Sequence, residues 1–174
     1  GEKKEENLKI GTEHEKFLFN LETKKPVDFS EKGIKGIFNI LKQNGWNEIK
    51  ENDNIIGLKK DNLSITLEPG LQIELSGAPC RNIHETCKEV NLYLKELKQA
   101  CSKFNIGVIG IGLIPNAKFD EINQLEKKRY TIMRNYMTSV GSLGLDMMHR
   151  TAATQVNFDF SSEEDFKKKT KVAS

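Results

Sequence analysis

The segment GTEHEKF, residues 11–17, carries two glutamates, Glu13 and Glu15, on either side of His14. In an extended strand the side chains of residues i and i+2 point to the same face, about 7 Å apart. Two carboxylates placed in this way repel each other unless a cation lies between them. The pair therefore predicts a cation site on a strand. His14 points to the opposite face and is expected to be packed or to support the site rather than to bind the cation.

Two further segments, residues 64–76 and 154–160, alternate between apolar and polar side chains. The polar positions of all three segments are Glu13, Glu15, Thr66, Glu68, Gly70, Gln72, Glu74, Ser76, Gln155, Asn157 and Asp159. The apolar positions, expected to face the core, are Ile65, Leu67, Leu71, Ile73, Leu75, Val156, Phe158 and Phe160. A plain solvated sheet face is the alternative interpretation. Such a face normally includes lysine or arginine, and these polar positions contain neither. Because hard divalent cations prefer oxygen ligands, we predict a metal-binding face.

The elements that position these residues follow from the apolar periodicity and the turn residues. The predicted strands cover residues 8–20, 54–59, 63–76, 106–115 and 154–160. Four helices are predicted. The first begins after an N-cap at Ser30, the second and third cover residues 83–104 and 125–139, and the last begins at a capping box formed by Ser161 and Glu164. These elements indicate an α+β fold with a largely antiparallel sheet and flanking helices.

Composition excludes some classes of partner. The 174-residue chain has a net charge of +2 and 7% aromatic residues, which does not indicate nucleic-acid binding. No apolar run reaches the length of a membrane span, so we expect no membrane partner. Three cysteines form an odd set, which favours a reducing compartment. We therefore expect a cytoplasmic location, or a plastid location if a transit peptide was removed; the pattern leaves the oligomeric state open.

Five motifs occur in order along the chain: GTEHEKF, LEPGLQIELSGAP, RYTIMRNYM, GSLGLDMMHRT and QVNFDFSSE. In these motifs the chain resembles the plant and proteobacterial type of glutamate–cysteine ligase from about Lys9 to its end. Members of that family continue beyond this point, so residues 1–174 are expected to be the amino-terminal part of a single ligase catalytic domain. The family is related in fold to glutamine synthetase, which implies a curved, mostly antiparallel sheet that forms part of a catalytic funnel.

The resemblance implies a two-step ligation as the first step of glutathione synthesis. ATP phosphorylates the γ-carboxylate of glutamate, and the α-amine of cysteine attacks the acyl phosphate to give γ-glutamylcysteine, ADP and phosphate. Phosphoryl transfer depends mainly on positioning and on metal ions, so Mg²⁺ is the expected cofactor. The expected partners are the small molecules glutamate, cysteine and ATP.

The resemblance also implies roles for individual residues. The implied metal ligands are Glu13, Glu15, Glu68, Glu74 and Gln155, with Asn157 facing the nucleotide. Substrate carboxylates require cations, and a guanidinium suits a carboxylate. The implied catalytic residues are Arg129 and Arg150, and the implied substrate-binding residues are Arg134, Met147, Met148 and Thr151. Arg150 is expected at the end of a glycine-rich loop. A core-filling role for the two methionines is an equal alternative.

Two departures from the family pattern and three rival functions complete the interpretation. The smaller departure is Cys80, which stands where a leucine is common after GAP. The family usually has EPGGQ where this chain has Leu71 in place of the second glycine, which weakens the expectation of a tight bend there. One rival is a related carboxylate–amine ligase with a different amine acceptor. Another is a catalytically silent domain that binds metal or glutamate. A nucleic-acid-binding module, based on the lysine-rich segment 167–171 alone, is the most remote.

Overall fold

The protein is built around one long strand that pairs along both of its edges. The computed structural model describes residues 2–52 and 54–174. The strands are β1 (Ile10–Asn20), β2 (Asn47–Glu51), β3 (Asn54–Lys60), β4 (Leu63–Leu67), β5 (Ile73–Ser76), β6 (Ile106–Ile109) and β7 (Thr154–Phe158). The helices are α1 (Ile34–Gln43), α2 (Ile83–Ser102), α3 (Lys128–Val140), α4 (Gly144–Arg150) and α5 (Glu163–Ala173). Two 3₁₀ turns cover Glu5–Asn7 and Phe119–Glu121.

The seven strands of the described residues form one open sheet in the order β2-β3-β4-β5-β1-β6, and β7 also pairs with β1. Every pair is antiparallel. The predicted α+β class with an antiparallel sheet is therefore confirmed. The glutamine-synthetase-like funnel stays a prediction. No helix in the described part of the chain is long and apolar enough to cross a membrane.

The core lies between one face of the sheet and helices α1 and α2. The apolar residues of β4 and β5 are fully buried there with the apolar face of α1, as Ile65, Leu67, Ile73, Leu75, Ile37, Phe38 and Leu41. Each such side chain contributes roughly 1.5–3 kcal/mol to folding when it is removed from water. This burial fixes which way the opposite, polar face of the hairpin points.

Residues 63–76 form a hairpin rather than the single strand that was predicted. Strands β4 and β5 pair with each other, and the chain reverses between Glu68 and Gln72. At the reversal Leu71 has a φ of +62°, and its N–H donates to the carbonyl of Glu68. The left-handed conformation costs a non-glycine residue about 1–2 kcal/mol, which the burial of the Leu71 side chain offsets. The tight bend is therefore present.

The predicted faces nevertheless survive the reversal. In the hairpin Thr66 lies opposite Glu74, and Leu67 lies opposite Ile73. Residues paired across an antiparallel ladder share a face. Because each pair joins residues of the same parity, the alternation read from a single strand gives the correct side for both arms of the hairpin.

Both predicted helix N-caps are wrong. Helix α1 begins at Ile34 after a turn in which the Ser30 carbonyl accepts from the N–H of Gly33, while the Ser30 hydroxyl donates to Asp28. Helix α5 is capped by Ser162, whose Oγ accepts from the N–H of Asp165 at 3.1 Å, one residue later than predicted. Neighbouring serines and acids offer equivalent capping patterns, so the sequence does not select between them.

Four other elements differ from the prediction: β2, β6, α3 and α4. Strand β2 was missed because its sequence, NEIKE, has no apolar alternation. Strand β6 ends at Ile109, earlier than predicted. The predicted helix at residues 125–139 is α3, shifted by a few residues, and the glycine-rich segment that follows it leads into helix α4, which the sequence did not indicate.

The apolar side chains of β7 do not face the core, contrary to the prediction. Val156 is 45% exposed and Phe158 is 60% exposed. Among the described residues β7 pairs with β1 alone. Every residue of β7 is exposed, so its alternating side chains lie on two solvent-facing sides of the strand. Phe160, just beyond the strand, is half-buried against Phe166 at a ring distance of 5.3 Å.

Candidate metal and substrate site

Three carboxylates from different parts of the sheet meet on its polar face. Glu15 of β1 lies directly opposite Glu74 of β5 in the strand register. Glu68 joins them because the hairpin reverses at this residue. One carboxylate oxygen from each of the three lies within 4.8 Å of the other two. The predicted faces of the first two segments thus converge on one point.

Each of the three carboxylates has a polar neighbour that lies outside the group. Glu74 accepts from the hydroxyl of Ser76 at 2.6 Å and from that of Thr66 at 3.3 Å. Glu15 accepts from the backbone N–H of Ala153 at 2.7 Å. The phenol oxygen of Tyr130 lies 3.3 Å from the Glu68 carboxylate and 3.2 Å from the Leu67 carbonyl oxygen. The bonds to Glu15 and Glu74 orient these two carboxylates before any ligand binds.

The electrostatics of the group favour a cation. Burial raises the pKa of Glu15, as do the neighbouring carboxylates of Glu74 and Glu13, while the Ala153 N–H lowers it. Burial also raises the pKa of Glu68, and the neighbouring carboxylates of Glu74 and Glu15 raise it further. The positive charges of Lys127 and Arg129 lower it. The ionised forms are therefore disfavoured without a counter-charge. An all-oxygen set of this kind fits Mg²⁺, which commonly shares its shell between carboxylates and substrate phosphates.

A cavity of about 120 Å³ lies beside the carboxylates. Glu15 and Glu68 form part of its wall, and α3 and α4 supply much of the rest. Four residues predicted for catalysis or substrate binding line it: Arg129, Met147, Met148 and Thr151. The structure therefore brings these four residues together with two of the predicted metal ligands.

Glu13, Gln155 and Asn157 form a neighbouring polar group rather than part of the three-carboxylate cluster. The Glu13 carboxylate accepts from the amide of Asn157 at 2.9 Å and from that of Gln155 at 3.1 Å. Glu13 pairs with Gln155 across β1 and β7. The metal role of Glu13 and Gln155 and the nucleotide role of Asn157 stay predictions.

Arg134 and Arg150 lie outside the lining of the cavity. Arg150 ends helix α4, not a glycine-rich loop as predicted, and donates to Asp146 at 2.7 Å. Arg134 donates to Thr131 at 3.3 Å. Each arginine also has one buried N–H group, Arg134 Nη1 and Arg150 Nε, that finds no acceptor among the described residues. Unsatisfied buried donors are rare in folded proteins.

Gln72 is a site residue whose role the sequence did not reveal. Its side chain is 2% exposed although it belongs to the predicted polar face. Its amide nitrogen donates to the carbonyls of Thr151 at 2.7 Å and Met148 at 3.3 Å, and its amide oxygen accepts from the Gly70 N–H at 2.8 Å. Gln72 therefore ties the hairpin reversal to the end of α4. A glutamine among carboxylates was the available signal, but it did not identify distant partners.

Lys127 and Tyr130 were also missed. The Lys127 ammonium donates to the Leu67 carbonyl at 3.1 Å and lies 3.4 Å from the Tyr130 phenol oxygen. Burial lowers the pKa of Lys127, against the effect of Glu68. Burial and the Glu68 charge raise the pKa of Tyr130, so its phenol keeps its proton at neutral pH. A tyrosine at the start of a helix is typical of core packing, and this residue gave no other signal.

Gly70 allows the hairpin reversal to approach α4, which leads to a prediction. A β-carbon at Gly70 would lie 2.3 Å from the His149 carbonyl oxygen, a contact between two backbones. We expect Gly70→Ala to lower the free energy of unfolding of the full-length polypeptide by about 1–3 kcal/mol. Gly112→Ala is the matched control, because a β-carbon there meets no atom of the described residues within 4 Å. Equal urea midpoints for the two variants would contradict the close approach.

Comparison with known proteins identifies the relatives of this chain. Residues 9–174 match the family described as glutamate–cysteine ligase family 2. Glutamate–cysteine ligase A, chloroplastic, from Oryza sativa subsp. japonica is 50% identical over 170 residues, which cover 97% of this chain and 34% of the relative. The chloroplastic glutamate–cysteine ligases of Brassica juncea and Arabidopsis thaliana are each 48% identical over 97% of this chain, covering 33% and 32% of their own lengths. The chain thus spans about a third of the length of these relatives.

Proposed function

Because this chain belongs to glutamate–cysteine ligase family 2, we propose that it is the amino-terminal part of a single ligase catalytic domain. The proposed reaction joins the γ-carboxylate of L-glutamate to the amine of L-cysteine with hydrolysis of ATP to ADP and phosphate. The observation that carries the proposal is the group of Glu15, Glu68 and Glu74 beside a cavity that contains Arg129. A cation site next to a guanidinium suits a reaction between two anions.

The proposed cation site consists of Glu15, Glu68 and Glu74, with Glu13 and Gln155 as further candidate ligands on the same side of β1. A bound Mg²⁺ would neutralise phosphate charge and orient the phosphoryl group for transfer. The chain itself orients two of these carboxylates, because Ser76 donates to Glu74 and the Ala153 N–H donates to Glu15. Little rearrangement of these side chains is then needed when the cation binds.

The proposed glutamate pocket is the cavity beside these carboxylates. Arg129 is proposed to pair with a substrate carboxylate, and the thioethers of Met147 and Met148 to contact its methylene groups. Arg134 and Arg150 do not line the cavity, so the substrate-binding role of Arg134 and the catalytic role of Arg150 stay predictions from the resemblance. Thr151, which lines the cavity, is proposed to offer its hydroxyl to the substrate. Asn157 is proposed to face the nucleotide.

In the first proposed step an oxygen of the glutamate γ-carboxylate attacks the γ-phosphorus of ATP, which forms γ-glutamyl phosphate and releases ADP. In the second the cysteine α-amine attacks the acyl carbon, the C–O bond to phosphate breaks, and the amine loses a proton. Arg129 is proposed to compensate the negative charge that gathers between the two anions in the first step.

The names of the relatives support a plastid location as the proposal for this chain. The matched enzymes of rice, Brassica juncea and Arabidopsis thaliana are all named chloroplastic. The cytoplasmic location expected from the sequence stays a prediction. Fractionation of the source cells, followed by detection of the full-length polypeptide, distinguishes the two.

ADP release by the full-length polypeptide tests the proposed reaction. With Mg²⁺, ATP and glutamate, we expect turnover with cysteine to exceed that with serine, glycine or no amine by about tenfold or more. Faster turnover with another amine would keep the ligase chemistry but reject cysteine as the acceptor. Absence of turnover with every amine, combined with binding of Mg²⁺, would instead support a silent binding domain.

A further inference from the structure

Glu68 occupies a different structural position from the other two carboxylates of the group. Glu15 and Glu74 lie within paired strands. Glu68 follows the last residue of β4 and belongs to the reversal, where its backbone N–H donates to the Gln72 carbonyl at 2.9 Å. A ligand on a turn requires its own support to keep its carboxylate oriented, and such supporting groups tune metal binding strongly.

Tyr130 is placed to supply that support. Its side chain is 2% exposed. Its phenol oxygen lies 3.3 Å from the Glu68 carboxylate and 3.2 Å from the Leu67 carbonyl oxygen. The phenol has one proton for these two acceptors. Which acceptor receives it depends on whether the Leu67 carbonyl has another donor.

Lys127 is that second donor. Its ammonium lies 3.1 Å from the Leu67 carbonyl oxygen, within hydrogen-bond distance. With this carbonyl satisfied, the phenol proton is available to the carboxylate. The ammonium also lies 3.4 Å from the phenol oxygen, where its charge strengthens the phenol as a donor. The two residues and the carboxylate thus form one chain of hydrogen bonds.

We propose that Tyr130 is a positioning residue that holds the Glu68 carboxylate in the cation site, with Lys127 directing the phenol proton toward it. This inference rests on the proposed function, because it takes Glu68 as a cation ligand. Tyr130 follows Arg129, which lines the cavity, so the same turn of α3 supports the cation ligand and carries the guanidinium.

The test measures cation binding without turnover. Mn²⁺ binding to the full-length polypeptide is followed by electron paramagnetic resonance in the absence of ATP and glutamate. Tyr130→Phe is expected to weaken Mn²⁺ binding about tenfold while its melting temperature in EDTA stays at the wild-type value. Tyr136→Phe, on the exposed side of the same helix, is the matched control and is expected to bind Mn²⁺ like the wild type.

A second variant tests the role of Lys127. In Lys127→Met the Leu67 carbonyl competes for the phenol proton, so Mn²⁺ binding is expected to weaken as in Tyr130→Phe. The double variant should bind no more weakly than Tyr130→Phe alone, because both changes break the same chain of hydrogen bonds. Additive losses of Mn²⁺ affinity in the double variant would overturn the proposed chain of hydrogen bonds.

The remaining outcomes separate this inference from the proposed function. If Tyr130→Phe binds Mn²⁺ like the wild type while Glu74→Gln does not, the cation site stands and the positioning role is wrong. If Tyr130→Phe melts earlier in EDTA and keeps wild-type Mn²⁺ affinity, the residue is structural and the inference is overturned. If the wild type itself binds no Mn²⁺, the cation site of the proposed function is wrong, and the inference fails with it.

Discussion

Replacement of Glu15 or Glu74 by glutamine is expected to reduce ADP release by the full-length polypeptide by about 100-fold or more. Even residues that only support a metal ligand typically change affinity or activity 10–100-fold, and these two are proposed as ligands themselves. They face each other across β1 and β5, so loss of either charge removes one side of the cation site. ADP release measured over a range of Mg²⁺ concentrations checks the prediction.

The fold is expected to tolerate both changes. The shapes of glutamate and glutamine are nearly the same, and the Glu15→Gln side chain keeps an oxygen that can accept from Ala153. Because burial and neighbouring acids raise the pKa of Glu15, the ionised carboxylate is destabilised in the folded, metal-free protein. Its neutral replacement removes this penalty, so the melting temperature in EDTA should not fall.

An exposed glutamate provides the control for these variants. Glu163 lies in the first turn of α5, and its side chain is largely in solvent beside Lys167. Glu163→Gln should leave ADP release and its Mg²⁺ dependence unchanged. If Glu15→Gln and Glu74→Gln also turn over at the rate of this control, the polar face of the sheet is a solvated surface, and the cation site is wrong.

The second large effect is expected for Gln72→Glu. Glutamate cannot donate when ionised, so the carbonyls of Met148 and Thr151 would lose their donor and face a buried carboxylate instead. We expect the free energy of unfolding to fall by roughly 3 kcal/mol at neutral pH. Acidic pH should reduce the loss, because a protonated carboxyl regains one O–H donor. Urea unfolding at neutral pH measures the loss of free energy, and urea unfolding at acidic pH measures how far the loss is reduced.

Gln72→Glu should also affect the substrate side of the site. Met148 and Thr151 line the cavity, and their carbonyls are the groups that Gln72 holds. We therefore expect a higher KM for glutamate in the variant. Gln99→Glu makes the same chemical change at an exposed position of α2 and is the control. Equal unfolding midpoints for the two variants would show that the buried amide does not hold α4.

The faces of the sheet could be predicted from the sequence because side-chain alternation is a local property. Glu68 and Glu74 were assigned to the same face as a consequence of period two alone, and the hairpin preserved that assignment. The order of the five motifs indicated the resemblance to known ligases, and the resemblance implied roles for Arg129, Met147 and Met148. The structure places these three around one cavity.

The rest of the site depends on contacts between distant parts of the chain, which local patterns do not encode. Gln72 bonds to carbonyls more than 70 residues away, and Tyr130 meets Glu68 across a similar separation. The reversal at Leu71 was missed for a different reason. A leucine in the left-handed region contradicts local preference, and here burial of the side chain prevails.

The exposed side chains of β7 have a consequence for self-association of the protein in solution. Within the described residues β7 pairs with β1 alone, which leaves its other edge with unpaired backbone groups beside Val156 and Phe158. An edge strand with exposed apolar side chains is a template for intermolecular pairing. A polypeptide cut to residues 1–174 would therefore tend to self-associate at this edge, and a lysine in place of Phe158 would reduce that tendency.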